Sequence, residues 1–449
     1  MNRTRTSTLD AFGLRNQRNR IFPALSASDG STLNLDFTNG SSLDSSFTYT
    51  RNSPATYINS SGYLTTMAAA ATNDPTKARF DYDPTTLAPK GLLLEGNATN
   101  LQRYSQTFVT GSSIWYITQG SIDEGVPGDA PDGTSPSYIF SEPASGTGAG
   151  QLQINGSSAS LAVSTTYTVS FWAKAGTRSK VLWRCDGGGK DVGFNLDTGV
   201  ATVVAGTFTN TRMTAYSRDL YRCEATWANV NAGGFPSIYT ATGTGTTYTT
   251  SYTCDGSNVE LWGFQLEVGT GASSYIATVA SQVQRVSDEC YIADISGLNY
   301  SNTNGSMAMQ FMYAKQSTSY IEQIVFMAAT DVPTLESFAN ALSFFTAVRG
   351  ASLSSGGQNE ISRPFTLNTF VKYASSFNTT LDPILIVNLN GSAASTNKVG
   401  TGNMYNATRF VFGRVPASTY GSFFGSITIK SVKYWNTTKT AAELVALTA

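Results

Sequence analysis

Apolar and polar residues alternate one by one through much of this chain, in short bursts that end in Gly, Ser, Asn or Asp. TYTVSFWAKAG (166–176) puts Tyr167, Val169, Phe171 and Ala173 on one face and Thr168, Ser170, Trp172 and Lys174 on the other. VELWGFQLEVG (259–269) sets Val259, Leu261 and Gly263 against Trp262, Phe264 and Leu266. A repeat of two is the strand repeat, because successive side chains leave a strand on opposite faces. Where both faces are this apolar, the strand belongs inside a stack of two sheets about 10 Å apart. Composition points the same way: 13% of residues are charged, against roughly 25% in ordinary soluble domains. Exposed helices want Glu, Lys and Ala, whereas the Thr, Tyr and Val used here favour strands. With 12% aromatics the chain carries burial that disordered chains lack.

At 449 residues the chain exceeds what one ordinary core organises. The expected fold is all-β: two jelly-roll-like β-sandwich domains in tandem, with an N-terminal extended arm and a short C-terminal helix. Residues 1–29 read as a basic anchoring arm. Arg3, Arg5, Arg15, Arg18 and Arg20 stand against Asp10 alone, so the first 20 residues carry +4 of a whole-chain −1 and the rest carries −5. Residues 30–110 alternate around Leu33, Leu35, Phe37, Phe47 and Tyr49 and read as hairpins fastened to the first sandwich. That sandwich, carbohydrate-binding-module-like, is expected over 111–295. A second, concanavalin- or laminin-G-like, is expected over 296–449, where Met307, Met309, Phe311 and Tyr313 alternate. Thr440-Ala-Ala-Glu443 is a capping box that predicts a closing helix, laying Leu444 and Leu447 across a sandwich edge. VPTLESFANAL (332–342) predicts another short helix.

There is no histidine. Ser-His-Asp and Cys-His catalysis and the usual His-containing zinc sites are therefore closed to this chain. Cys185, Cys223, Cys254 and Cys290 permit three disulfide connectivities. Without an apolar leader that would mark export, they read as reduced, buried thiols. No run approaches the roughly 18 apolar residues of a membrane span, so no membrane insertion is expected. Asp123, Glu124, Asp129 and Asp132 in one loop, and Asp186 and Asp191 in another, are oxygen ligands at loop spacing. Neither follows an EF-hand pattern, and both read as plain turns. No metal or cofactor is expected. Trp115, Tyr116, Trp183, Trp227, Trp262 and Trp435 could stack on sugars, yet most lie in strand patterns and read as core.

KGLLLEGNATNLQRYSQTF (90–108) is an apolar plug followed by a polar turn. Leu92 and Leu94 should share one face of a strand entering the first sandwich, with Leu93 on the other. Glu95 should be paired at the strand end, by Arg79 or Arg103. Asn97, Thr99 and Asn100 should bond local backbone, and Leu101, Tyr104 and Phe108 should pack as a cap.

ARFDYDPTTLAPKGLLLEGNATNLQRYSQTF resembles a segment of tailed-phage virion structural proteins, in which an Arg-Phe-Asp-Tyr-Asp hairpin precedes a Gly-Leu-Leu-Leu-Glu strand. SSFTYTRNSPATYINSSG precedes it and LYRCEATW follows it in the same order. VELWGFQLEVGTGASSYIATVASQVQRVSDE is the most specific piece: a Trp-Gly-x-Gln-Leu-Glu strand, a Ser-Tyr-Ile turn and an Arg-x-x-Asp exit. SITIKSVKYWNTTKTAAELVALT is similar to the closing strand and helix of the family's concanavalin-like sandwiches. The resemblance covers about 30–449. It implies a non-enzymatic fibre, spike or decoration subunit in the virion, assembled in the host cytoplasm. The Arg arm would dock to capsid, portal or tail, and the sandwiches would face host-surface glycans. A homo-oligomer is expected, a trimer first. Nucleic acid is the weaker reading of the arm, which has only Phe12 to stack on bases. The competing function is a polysaccharide-degrading tail spike working through paired carboxylates.

Overall fold

Strand Leu33–Asp36 lies antiparallel to Ser426–Trp435, with Leu33 opposite Tyr434, so the two ends of the chain are neighbours in one sheet. This computed structural model describes residues 20–21, 28–108, 114–154, 161–231, 236–315, 321–328, 333–340, 343–350, 358–380, 384–399, 401–413 and 425–449. Among them the fold is all-β, with one short α-helix at the C-terminus.

Four large sheets form two sandwiches. Two six-stranded sheets, drawn entirely from residues 115–268, enclose one core. Phe171 and Phe264 stack at 4.7 Å in its centre, and Trp115, Trp183 and Trp227 surround them. The other sandwich is built from two separated stretches of chain. Its eight-stranded sheet joins Leu33–Asp36, Arg79–Tyr82 and Pro89–Glu95 to Asn304–Lys315, Val371–Asn378 and Ser426–Trp435. Its seven-stranded sheet places Phe47–Thr50 beside Glu289–Ile292. Leu33, Leu35, Phe47, Leu92 and Leu94 accordingly share a core with Met307, Phe311, Phe410 and Val432. The first sandwich is therefore an insertion into the second.

Four expectations change. The Leu92–Leu94 strand was assigned to the first sandwich, but it pairs with Ser426–Trp435, Leu92 opposite Ile429, and enters the discontinuous one. Adjacency in sequence favoured the following domain, while the hydrogen-bonding edge was supplied more than 300 residues later. The helix expected in 332–342 is strand Pro333–Asn340, paired on one side with Ile321–Ala328 and on the other with Ser343–Arg349. Two-sided pairing overrides the helix propensity of Leu, Ala and Glu. In 259–269 the alternation slips: Val259, Leu261, Phe264 and Leu266 all face one core, and Trp262 faces away. A bulge at Gly263 causes the slip, with φ +62° and room for a Cβ only 2.8 Å from the Trp172 ring. The C-terminal helix Ala441–Thr448 has its capping box. It buries Leu444 and Thr448, whereas Leu447 is exposed, because positions four apart lie on the face toward the sheet.

Of the basic arm, Arg20–Ile21 pairs in parallel with Ser42–Leu43. Arg3, Arg5, Arg15 and Arg18 lie outside the described residues.

Candidate functional site

The plug at 90–108 ends in a buried ionic junction between the two sandwiches. Strand Pro89–Glu95 carries Glu95 to the end of the eight-stranded sheet, where its side chain is about 1% exposed. Glu95 Oε2 accepts from Arg79 Nη1 at 2.7 Å, Arg285 Nη1 at 2.5 Å and Ser274 Oγ at 2.6 Å. Its Oε1 accepts from the Ser274 backbone N–H at 2.8 Å. Asp288 sits behind it. Asp288 Oδ2 accepts from Arg79 Nη2 at 2.6 Å and from the Glu95 backbone N–H at 2.7 Å. Asp288 Oδ1 accepts from Tyr49 Oη at 2.5 Å and Arg51 Nη1 at 3.0 Å. Arg51 also donates to the carbonyls of Ser53 and Ala68, and Arg285 to that of Gly96.

Three guanidinium groups and two carboxylates are thus closed off from water with their hydrogen bonds shared. Burial alone would raise the Glu95 carboxyl, but Arg285, Arg79 and Ser274 outweigh it and hold it well below the usual carboxylate range. Burial works against the charge on Arg79, yet Asp288 and Glu95 outweigh it and raise its pKa. Of the two arginines expected near Glu95, Arg79 is the one found there; Arg285 supplies the second guanidinium. The signal for Arg285 was the Arg-x-x-Asp exit, which delivers Arg285 and Asp288 together.

The polar turn that follows is stapled across the junction as well as to itself. Asn100 Nδ2 donates to the carbonyls of Phe264 and Ile276, and Asn97 Oδ1 accepts from the Ser287 N–H. Local turn bonding was expected for these residues: Asn100 makes it, its Oδ1 accepting from the Gln102 N–H at 3.0 Å, while its Nδ2 and the Asn97 side chain also satisfy backbone groups of the incoming and outgoing chain. Leu101, Tyr104 and Phe108 cap the inserted core as expected.

Above the junction lies a cleft of about 730 Å³, open mouth included, between the inserted sandwich and the discontinuous one. Glu95, Ser273 and Ser274 form part of its lining, so junction and cleft share a wall. One side carries Tyr57, Asp81 and Lys90, and the other Arg212, Tyr216, Arg222 and Glu224. Asp81 Oδ1 accepts from the Ile58 N–H at 2.8 Å, while Lys90 Nζ stands 3.9 Å from Oδ2. Burial pushes the Asp81 carboxyl up, against the pull of Lys90. Arg212 Nη2 donates to Glu224 at 2.5 Å, and Arg222 Nη2 to the Ser273 carbonyl at 2.7 Å. Burial pushes the Tyr216 phenol up to about 12. Asn368 also belongs to the lining; Arg212 Nε, Arg222 Nε and Asn368 Oδ1 are closed off from solvent and without a hydrogen-bond partner among the described residues.

The other residues singled out from the sequence are placed as follows. All six tryptophans are buried, and Tyr116 is exposed. Asp186 pairs with Lys190 at 2.8 Å and Asp191 with Arg184 at 2.8 Å. Asp132 accepts from the N–H groups of Thr134 and Ser135 within its own turn. Among the described residues no three Asp, Glu or Cys side chains gather as a metal site. The four cysteines are free and buried. Among the described residues no helix is long and apolar enough to cross a membrane.

No family model matches the chain, and no curated protein matches it significantly. Solved structures do match parts of it. The receptor-binding domain of botulinum neurotoxin type G is 10% identical with a TM-score of 0.28, covering 35% of this chain and 38% of that one. The CBM40 domain of the Ruminococcus gnavus IT-sialidase, bound to α2,3-sialyllactose, is 9% identical with a TM-score of 0.28, covering 33% of this chain and 84% of that one. The binding domain of Paraclostridial Mosquitocidal Protein 1 is 10% identical with a TM-score of 0.29, covering 37% and 43%. The chain thus spans less than half the length of the toxin domains it matches.

Proposed function

We propose that this chain is a non-enzymatic structural protein of a tailed-phage virion, a fibre, spike or decoration subunit that holds two sandwiches in fixed relation at the particle surface. The observation that carries this reading is where the resembling segments send their charged side chains. Arg51 of the Thr-Arg-x-Ser element, Arg79 of the Arg-Phe-Asp-Tyr-Asp hairpin, Glu95 of the Leu-Leu-Leu-Glu strand and the Arg285/Asp288 pair all end in one junction. Their carboxylates are saturated with donors and held apart from solvent, which suits joining two modules rather than transferring protons. The N-terminal arm, with Arg3, Arg5, Arg15, Arg18 and Arg20, is the proposed attachment to capsid, portal or tail. Host-surface glycans are the proposed ligands of the sandwiches, and a trimer is the proposed assembly.

Deleting residues 1–20 should abolish incorporation into particles while leaving the near-ultraviolet circular dichroism of the purified protein unchanged. Incorporation at the wild-type level would refute the docking role. Incubation with host capsule should release no reducing ends; release would instead establish the carboxylate-dependent spike.

A further inference from the structure

We propose that strand Val200–Ala205 is the surface through which two copies of this chain join, edge to edge, extending one sheet of the inserted sandwich across a two-fold axis. The strand is the last of its six-stranded sheet. On one side it pairs with Lys190–Asn195. On the other its backbone makes no hydrogen bond among the described residues. Every second residue of such an edge turns its N–H and C=O outward, which makes it a template for another strand. Its side chains match that opening. Val200, Val203 and Val204 are 51%, 43% and 40% exposed, so three large apolar groups stand in water beside unpaired backbone.

The chemistry of the edge selects its occupant. Open edges are ordinarily blunted by charge or proline, and residues 198–211 contain neither. A two-fold antiparallel contact lays a strand against its own copy, so every charge on it would face or neighbour a like charge. Here only Val, Ala and Thr meet, and β-branched pairs across strands are favourable. The strand Ser121–Pro127, which ends the other sheet of this sandwich, makes the contrast: it carries Asp123 and Glu124, which self-pairing would set against their own copies. Regular register runs over Val200–Val203 and slips beyond it, between Asp191 and Val192 of the neighbouring strand, so the contact has a fixed length. One partner uses up the edge, and the pairing closes at two instead of growing into a fibre. A trimer held by other contacts would then be found as a hexamer. Such pairing holds whether or not the chain sits in a virion.

The test is the mass of the purified full-length protein, measured by light scattering after size exclusion at rising concentration. An even number of chains is expected. Val200→Lys combined with Val204→Lys, both at exposed positions, should halve the mass by setting lysines of the two copies against one another, with the circular dichroism unchanged. Val200→Lys alone reads the contact where the pair lowers the melting temperature. Val126→Lys, at a valine 64% exposed on the opposite edge strand, should leave the mass as it was. A wild-type monomer or trimer overturns the proposal. So do a mass that survives the lysines, an equal loss with Val126→Lys, and open-ended aggregation in place of a defined assembly. The arm deletion and the capsule assay decide the proposed function separately, whichever of these is found.

Discussion

The two sandwiches are made of similar strands but assembled in opposite ways. The inserted one closes on itself: residues 115–268 supply both of its sheets and all of its cross-sheet pairing. The discontinuous one exists only when strands 33–95 meet strands 289–435, across an interval that holds the other sandwich entire. Closing so long a loop costs entropy before any contact rewards it. The ionic junction stands where that cost is met, joining side chains from 49–95 to side chains from 274–288. The difference teaches that ion pairs enclosed on both sides accompany discontinuity here: in the inserted sandwich Glu142 and Glu224 are buried too, but their partners Arg178 and Arg212 reach solvent, whereas at the junction both members of each pair are shut in. The self-contained sandwich centres on stacked aromatics, and the one assembled from remote pieces is keyed by directional pairs that fix how the pieces fit.

The largest effect should come from separating the two. Residues 98–285 expressed alone should fold, with tryptophan emission near that of the whole protein, since five of the six tryptophans lie within 115–262. Residues 289–449 alone should remain unfolded by circular dichroism, lacking the strands that bear Leu33, Phe47, Leu92 and Leu94. Folding of the second fragment would break the comparison.

Next in size is Glu95→Ala, which leaves Arg79 and Arg285 buried with one carboxylate fewer. It should cost about 3–5 kcal/mol in denaturant unfolding, and the loss should appear in the discontinuous sandwich, with tryptophan emission retained to higher denaturant. The same group has a pH signature. Its folded pKa lies well below the unfolded value of about 4.3, so its stabilisation is complete above that value and is lost as pH falls below it toward the folded pKa. Glu95→Gln should flatten the acid limb of a stability–pH curve. Gly263→Ala, at positive φ against the Trp172 ring, should cost about 1–3 kcal/mol and act on the inserted sandwich instead. Thr440→Ala removes the helix cap and should cost about 1 kcal/mol, read as a small shift in melting temperature.

What the residues disclosed in advance follows the same division. In the inserted sandwich the period-two pattern gave the strands and the buried tryptophans directly, apart from the phase slip at Gly263, which a lone glycine does not announce. In the discontinuous one the strands around Leu33, Phe47, Leu92, Met307 and Ile427 were recognisable, whereas Pro333–Asn340 was expected as a helix; the partners of the strands were not visible, because an edge chosen from 300 residues away leaves no local mark. Leu92–Leu94 were seen as a plug and assigned to the wrong core for that reason. Glu95 and Arg79 were matched because they lie 16 residues apart, whereas Arg285 and Asp288 were visible only as a short motif without an address. The cleft was not foreseen. Tyr57, Asp81, Lys90 and Tyr216 are ordinary strand and turn residues until the two sandwiches are placed side by side.

One further property follows from the way the insertion is attached. Ala98–Asn100 and Val283–Arg285 run antiparallel as a two-stranded neck, so the outgoing and returning backbones stand only about 5 Å apart. A unit hung from such a neck can be exchanged for another whose termini are equally close without disturbing the sheet order of its host. This architecture therefore works as a socket, into which a different domain with equally close termini can be set without rebuilding the sheets that hold it.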